Sequence, residues 1–399
     1  MSGGERSFAG VSHDEAVSRA HALVPALRER AKRGEEERAM LHEIQDDLHR
    51  SGLLRIVQPK RWGGMELDFV SLVDIPAELA RGCASTAWNV GNFAIHQLLL
   101  ALYDDRTQKE VWGENPDALI AAGIAYPQGQ ARAVDGGFVI GGHWNFSSGV
   151  DPADWIQLAV TVRDGDRVTG HRMCMVRRGE FEIVDDWFVL GMRATGSKSV
   201  RAKDLFVPEH RALDMTTCRG SGDAPGSRGN PNPLYRVPYA ALGSHGLVGA
   251  AIGNARAALE LTCEHVKSRS TNYTGARMRD FQTVQQRVGA AGARIEAAQL
   301  MARNDCVLAQ HYATAGRMMN LEEKLRVKRN LAYAVTLCTE AVDLLHTVAG
   351  AIGIYDGYPI QRLFRDAHAL AGHFSSAFDA HGSSWGLVAM GGEFTSPTL

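Results

Sequence analysis

No two cysteines in this 399-residue sequence are spaced as CxxC. Cys83, Cys174, Cys218, Cys263, Cys306 and Cys338 stand far apart, so neither a zinc ribbon nor a dithiol redox pair is suggested. Excess charge of one sign is also missing. Lys and Arg number 43 against 45 Asp and Glu, a formal net charge of −2, which favours neither nucleic acid nor an acidic membrane as partner. No uncharged apolar run is long enough to span a bilayer. GxGxxG after a strand is absent, which argues against a dinucleotide fold, and the GxxxxGK[ST] spacing of a P-loop is absent too. There is no signal-like N-terminus, no internal repeat and no low-complexity tract. With the dispersed cysteines, this predicts a reducing cytoplasm.

What is present is ordinary globular material, 45% hydrophobic and 22% charged. Its length allows one large core or two to three smaller domains. The 42 glycines imply many tight turns or close backbone approaches.

The pattern along the chain runs α, β, α. Ser12 with Glu15 has the capping-box spacing, and Asp14 suits a positive helix end. Leu41, Ile44 and Leu48 recur at helical spacing, with Gly52 placed to cap the end. Phe69 to about Leu102 also reads as helix. From Leu119 to about Leu213 come short β-branched runs (Phe138–Ile140, Ile156–Val162, Phe181–Val184). Asp135-Gly136-Gly137 and Asp164-Gly165-Asp166 are hairpin signals among them. Arg219 to about Pro238 is rich in Gly, Pro, Ser and Asn and reads as a mobile loop or lid. Four helices are then expected, over Gly243–Ser268, Phe281–Thr314, Leu321–Ala349 and Pro359–Met390, a bundle by their length and short connections. Gly243, Gly246, Gly249 and Gly253 give the first a small-residue face that allows close helix contact. The expected units are an N-terminal helical domain (1–118), an antiparallel β domain (119–214), a linker (215–238) and a C-terminal bundle (239–399), an α+β chain.

Three segments carry chemistry. Gly142-His143-Trp144-Asn145-Phe146-Ser147-Ser148-Gly149 follows a hairpin strand and sets aromatics beside two hydroxyls. Such a strand can cover one face of a flavin ring and hydrogen-bond its N5 edge. Equally, it can be a strand end with Trp144 in the core and the serines in a turn. Gly191 to Val200 clusters Gly, Thr, Ser and basic residues before Leu205-Phe206-Val207-Pro208. Its amides and hydroxyls suit a phosphate or polar ligand edge, or a solvated turn. Third, His368, His373 and His381 fall on one expected helix. The five-residue step from His368 to His373 departs from the i, i+4 spacing of a metal pair, so no metal is assigned. A single histidine titrating near neutrality is the sharper alternative to solvent or core packing. Arg365-Asp366 reads as an ion pair or cap. His96, among apolar residues, is either a satisfied core residue or the polar spot of a pocket.

The order and spacing of these segments resemble the acyl-CoA dehydrogenase superfamily over nearly the whole length. Gly52-Leu53-Leu54 to Gly63-Gly64 looks like its early helix-to-loop signature, and Tyr358-Pro359 with Arg365-Asp366-Ala367 like its last-helix signature. Ala84-Ser85-Thr86-Ala87-Trp88, Trp144 to Gly149 and Gly191 to Ser197 are similar to one subgroup, the oxygenase components of two-component 4-hydroxyphenylacetate and 3-HSA hydroxylases. The dehydrogenases remove an α-proton with a glutamate, in many of them in a Tyr-Glu-Gly-Thr run shortly after Arg-Asp-Ala. The same distance here reaches His373-Phe374-Ser375-Ser376, without a carboxylate.

The resemblance implies an N-terminal helical domain, a β-barrel domain and a C-terminal four-helix bundle, assembled as a homotetramer. It implies a flavin-dependent monooxygenase. FMNH2 or FADH2 from a separate reductase would react with O2 to give a C4a-hydroperoxyflavin that hydroxylates an aromatic or phenolic substrate, polycyclic phenols included. In that reading Ser148 and His373 are catalytic. Trp144, Ser147, Ser148, Thr195, Ser197, Arg269, Gly350 and Gly353 hold the cofactor, and His96 and Trp88 wall the substrate pocket. Gly350 and Gly353 would let a neighbouring subunit approach the cofactor. The alternatives are an N- or S-oxygenase of the same fold, an acyl-CoA dehydrogenase, or a non-enzymatic flavin-fold scaffold.

Overall fold

The structure is a computed structural model that describes residues 7–271, 274–395 and 399. Helix α1 (His13–Glu37) opens on Ser12, whose hydroxyl accepts the Glu15 amide at 3.2 Å. Helix α2 (His42–Ser51) closes on Gly52, at φ 76° in the left-handed region that glycine enters without strain. The helical stretch expected over 69–102 is two helices, α3 (Ser71–Leu79) and α4 (Ala84–Leu100), because Cys83 is extended at the break. Gly82 sits there because α1 passes close by: a β-carbon on it would lie 2.6 Å from the Leu27 β-carbon. A short helix α5 (Asp105–Gln108) leads towards the sheet.

Eight strands follow: β1 (Ile120–Gly123), β2 (Gly129–Val134), β3 (Gly137–Trp144), β4 (Trp155–Asp164), β5 (Arg167–Arg177), β6 (Glu182–Val184), β7 (Ser199–Pro208) and β8 (Ala212–Asp214). Both hairpin signals are turns, between β2 and β3 and between β4 and β5. The sheet order is β6-β7-β3-β2-β4-β5-β8, with β1 on β4. The domain is antiparallel-rich, as expected, with two particulars. β4 is joined in parallel by both β1 and β2, and the ladder is an open path with β6 and β8 at its ends. Connections longer than a hairpin lead from β1 and from β2–β3 to β4, which is what permits parallel pairing.

The segment read as a mobile lid is pinned. Asn230 Nδ2 donates to the Ala101 carbonyl at 2.6 Å, the Tyr235 hydroxyl donates to the Val57 carbonyl at 3.0 Å, and Leu234 is fully buried. Its prolines start two short 3₁₀ turns, Pro225–Arg228 and Pro233–Arg236.

After a helical turn, α6 (Tyr239–Leu242), the bundle comprises α7 (His245–Ser268), α8 (Gln282–Thr314), α9 (Leu321–Ala349), α10 (Ile360–Ala371) and α11 (Phe378–Ala389). An 18-residue window within Leu321–Ile354 has mean hydropathy 1.4, apolar enough by length and composition to cross a bilayer, although Glu340 and Asp343 interrupt the segment, so no uncharged run spans it. In this fold α9 packs against α7, α8, α10 and α11. The glycine face of α7 packs as its composition implied. A β-carbon on Gly249 would meet the Val73 carbonyl oxygen at 2.5 Å, and one on Gly253 would run into the Ala77 carbonyl oxygen. Both obstacles are backbone of α3. Gly253→Ala is expected to destabilise by about 2–3 kcal/mol, the scale of overpacking a tight contact, read as a lowered urea midpoint with unchanged slope.

The fourth bundle helix expected over Pro359–Met390 is broken. α10 ends at Ala371, and α11 starts at Phe378. At the break His373 is extended (φ −69°, ψ 141°), and its ring accepts the Ser375 amide. Gly372 and the two serines are poor helix formers, and this local side-chain bond offers the backbone an alternative to helix.

Candidate functional site

Antiparallel pairing brings the first two motifs together. Trp144 of β3 lies opposite Val200 of β7, so the chain leaving β3 runs beside the turn that enters β7. The Ser147 amide donates to the Lys198 carbonyl at 3.0 Å and the Gly149 amide to the Thr195 carbonyl at 2.9 Å. Both turns need left-handed backbone, at Phe146 (φ 64°), Gly149 (69°), Met192 (56°) and Gly196 (54°). Helix α4 closes the group: Asn89 Nδ2 donates to the Thr195 carbonyl at 3.2 Å, and Trp88 Nε1 donates to Ser148 Oγ at 3.0 Å. Ser148 Oγ lies 2.7 Å from Ser197 Oγ, which is 2.7 Å from Thr195 Oγ1, and Thr195 Oγ1 donates to the Met192 carbonyl at 2.8 Å.

The Arg365-Asp366 motif clamps this turn, a partner that no local pattern indicates. Asp366 accepts the Met192 amide at 2.6 Å, and Arg365 Nη1 donates to the Leu190 carbonyl at 2.6 Å and pairs with Glu35. Gly191 is where the last-helix backbone crosses: a β-carbon there would run into the Arg365 carbonyl. Burial, partly offset by the Met192 amide, raises the Asp366 carboxyl to about 6. A raised acid favours folding in its protonated form. That contribution is complete below the unfolded value near 4 and is lost as pH rises through 6. Asp366→Asn has no such loss. Its stability relative to wild type is therefore expected to improve between pH 4 and 7 by up to about 3 kcal/mol, measured by urea unfolding at each pH.

His373 faces the same cluster. Its ring stands edge-on to Trp88, with centroids 5.2 Å apart at 76°. Because Nδ1 accepts the Ser375 amide at 3.2 Å, the ring proton belongs on Nε2. Burial, with His381 adding to it, lowers the His373 pKa to about 4, so the ring is neutral near pH 7. Ser375 Oγ meets Ser244 Oγ at 2.7 Å. The hole enclosed here is about 10 Å³, room for one water, with Leu247, Val248, Leu331, Val335 and Leu370 among its lining and no carboxylate among the described residues. His96 has the opposite tautomer. Its Nδ1 lies 2.7 Å from the Ile120 carbonyl, which only accepts, so Nε2 is unprotonated; burial lowers this ring too to about 4. His96 lies two turns beyond Trp88 on one side of α4.

Other expected residues lie elsewhere. Trp144 is fully buried in the sheet core and donates Nε1 to the Ala159 carbonyl at 2.7 Å, while Gly123, Gly129 and Gly142 crowd its ring. Thus it covers no ligand face. The aromatic beside the serines is Phe146, 68% exposed and edge-on to Trp187 at 6.1 Å. The signal for it was its place two residues before Ser148. Ser147 is buried, and its hydroxyl has no partner among the described residues. Arg269 donates to the Ala349 carbonyl at 2.9 Å, which groups it with Gly350 and Gly353 at the far end of α9. Counting along α9 from Val335, which lines the His373 hole, this group lies ~21 Å away in the same chain. His368 is exposed and pairs with Asp343, outside the site and on a different element from His373. A recess of about 350 Å³ beside Tyr103, Arg172, His210 and Asp214 contains none of the expected site residues.

Hydroxyls fixed beside an indole and a neutral imidazole, next to an exposed aromatic ring, suit the edge of a flavin. The absence of a carboxylate from the His373 lining does not suit α-proton removal. The acyl-CoA dehydrogenase N-terminal domain model matches residues 15–114, and the C-terminal domain model matches residues 245–378. Fold and site together define a flavoprotein of the acyl-CoA dehydrogenase superfamily. Within it, the chain is 32% identical over 356 residues to the oxygenase subunit HsaA, a flavin-dependent monooxygenase of Rhodococcus jostii, covering 88% of this chain and 92% of that protein. It is 33% identical over 391 residues to the oxygenase component of an FADH(2)-dependent resorcinol hydroxylase from a Rhizobium species, covering 95% of each. The solved 3-HSA hydroxylase from Rhodococcus sp. RHA1 superposes with a TM-score of 0.92 at 30% identity, over 97% of this chain and 100% of that one. The chain belongs to the flavin-dependent monooxygenases of the acyl-CoA dehydrogenase fold, as an oxygenase component.

Proposed function

We propose that this oxygenase hydroxylates a phenolic ring ortho to its hydroxyl, using FMNH2 or FADH2 delivered by a separate reductase. The observation that carries the reading is the cluster of Ser148, Trp88 and His373, joined by one hydrogen bond and one ring contact. Reduced flavin supplies the oxygen chemistry when bound. Ser148 holds the N5 edge, Phe146 covers a ring face in the role first given to Trp144, and Thr195 and Ser197 support Ser148. His373, protonated on Nε2 and neutral, donates a hydrogen bond to the oxygen being transferred. His96, with Nε2 bare, accepts a hydrogen bond from the phenol hydroxyl and so raises electron density on the substrate ring. The two histidines thus divide the donor and acceptor roles by tautomer, although both pKa values are lowered. Trp88 and the apolar side of the His373 hole exclude water.

Arg269, Gly350 and Gly353 serve the cofactor of a neighbouring subunit in a homotetramer, which their distance from the His373 hole along α9 supports. The six free cysteines, five of them buried, accord with a cytoplasmic setting.

The test mixes the protein with photoreduced FMN or FAD, air and a panel of phenols, and measures hydroxylated product against hydrogen peroxide. Product from a phenol supports the reading. Product only from an amine or thiophene would make it an N- or S-oxygenase. Bleaching of bound flavin by an acyl-CoA would make it a dehydrogenase.

A further inference from the structure

The hydroxyls around Ser148 form a chain whose two ends have fixed polarity. At one end, Trp88 Nε1 can only donate, and it meets Ser148 Oγ at 3.0 Å. At the other, the Met192 carbonyl can only accept, and it takes the Thr195 hydroxyl proton at 2.8 Å. Between these ends, Ser148, Ser197 and Thr195 are linked by two contacts of 2.7 Å. Each hydroxyl has a single proton. Thr195 has given its proton to Met192, so it must accept from Ser197. Ser197 must then accept from Ser148. Ser148, donating to Ser197 and accepting from Trp88, keeps one lone pair and no proton for any ligand.

We infer that Thr195 and Ser197 are positioning residues that force Ser148 to act as a hydrogen-bond acceptor, so that the site selects the reduced state of a flavin by the proton on N5. This rests on the flavin reading above. Reduced flavin carries N5–H and matches the free lone pair. Oxidised flavin has a bare N5 and sets lone pair against lone pair. The direction is maintained from outside the hydroxyl cluster. Met192, whose carbonyl ends the chain, is itself held by Asp366 through its amide at 2.6 Å, and Asn89 holds the Thr195 carbonyl. A hydroxyl free to rotate would donate to one redox state and accept from the other, and would discriminate little.

The test measures the dissociation constants of oxidised and dithionite-reduced FMN and FAD by anaerobic equilibrium dialysis, for wild type and variants. Wild type binds the reduced form more tightly. Thr195→Val removes the anchor and Ser197→Ala removes the middle link; either lets the Ser148 proton turn outward. Each is expected to tighten oxidised-flavin binding and to shrink the ratio by about tenfold, the scale of trading an opposed pair for a neutral hydrogen bond. Thr195→Ser keeps every hydroxyl and retains the wild-type ratio. Trp88→Phe leaves the direction set by Met192 and also retains it.

An unchanged ratio in folded Thr195→Val and Ser197→Ala overturns the inference, as does an equal loss of both forms. If either variant fails to fold by circular dichroism, the remaining one and Thr195→Ser decide. A changed ratio in Thr195→Ser also overturns it. Wild type that binds neither flavin in either state would instead defeat the flavin reading itself, a distinguishable outcome.

Discussion

Replacing Ser148 with alanine is expected to cut coupled hydroxylation by about 10²-fold or more, with the oxygen consumed appearing as hydrogen peroxide. The change removes one oxygen atom from a side chain that is 8% exposed and touches Trp88 and Ser197. The fold should survive, because neither neighbour depends on Ser148 alone for its position. Trp88 is held on α4, and Ser197 keeps Thr195 as a partner. What is lost is the acceptor at the N5 edge. The measurement is product and peroxide per reduced flavin, together with circular dichroism of the variant. Product yield near wild type would show that Ser148 has no part in coupling.

His373→Ala should have an effect of similar size, about 10²-fold on product formation. Its partner, His373→Gln, tests the role more sharply. A glutamine can donate from its amide nitrogen but cannot act as a base, so it should recover part of the activity if His373 is a donor. The pH dependence supplies a second criterion. His373 is already neutral above about 4, so it contributes no inflection to turnover between pH 5.5 and 8. An inflection near 6.5 that disappeared in His373→Ala would mean that the ring titrates there and acts as a base. The same lowered value has a folding consequence. The unfolded ring takes up a proton below about 6.5 while the native ring stays neutral, so this residue weakens stability as pH falls from 6.5 towards 4.

Much of the architecture was legible because it is written in short-range pattern. The hairpin turns at Asp135-Gly136 and Gly165-Asp166, the Gly52 cap and the glycine face of α7 are each fixed by residues within a few positions of one another. The exceptions were places where a distant element intervened. Gly82 ends α3 early because α1 crosses it, and β4 takes parallel neighbours that no alternation pattern reveals. His373 was singled out by its distance from Arg365-Asp366. Its setting was misjudged because helix periodicity over 359–390 gave no warning of the break. Trp144 illustrates the limit most plainly. Strand alternation points it into the sheet, and the left-handed backbone of Phe146, just past the end of β3, is what turns that neighbouring ring outward.

The sequence alone determined most of the helices, strands and turns, though not the breaks at 80–83 and 372–377, and which short motifs hold hydroxyls, indole and imidazole. These follow from local backbone preference and the period of the side chains. Tertiary structure decided which of those groups meet. The Trp88–Ser148–Ser197–Thr195 chain draws on α4 and the turns flanking β3 and β7, and its far end is held by Asp366 of α10. The direction of a hydroxyl proton and the tautomer of a buried histidine depend on which carbonyl or amide lies within 3 Å. Contacts between residues 49, 60 or 174 positions apart in sequence are set by packing, which no local preference encodes.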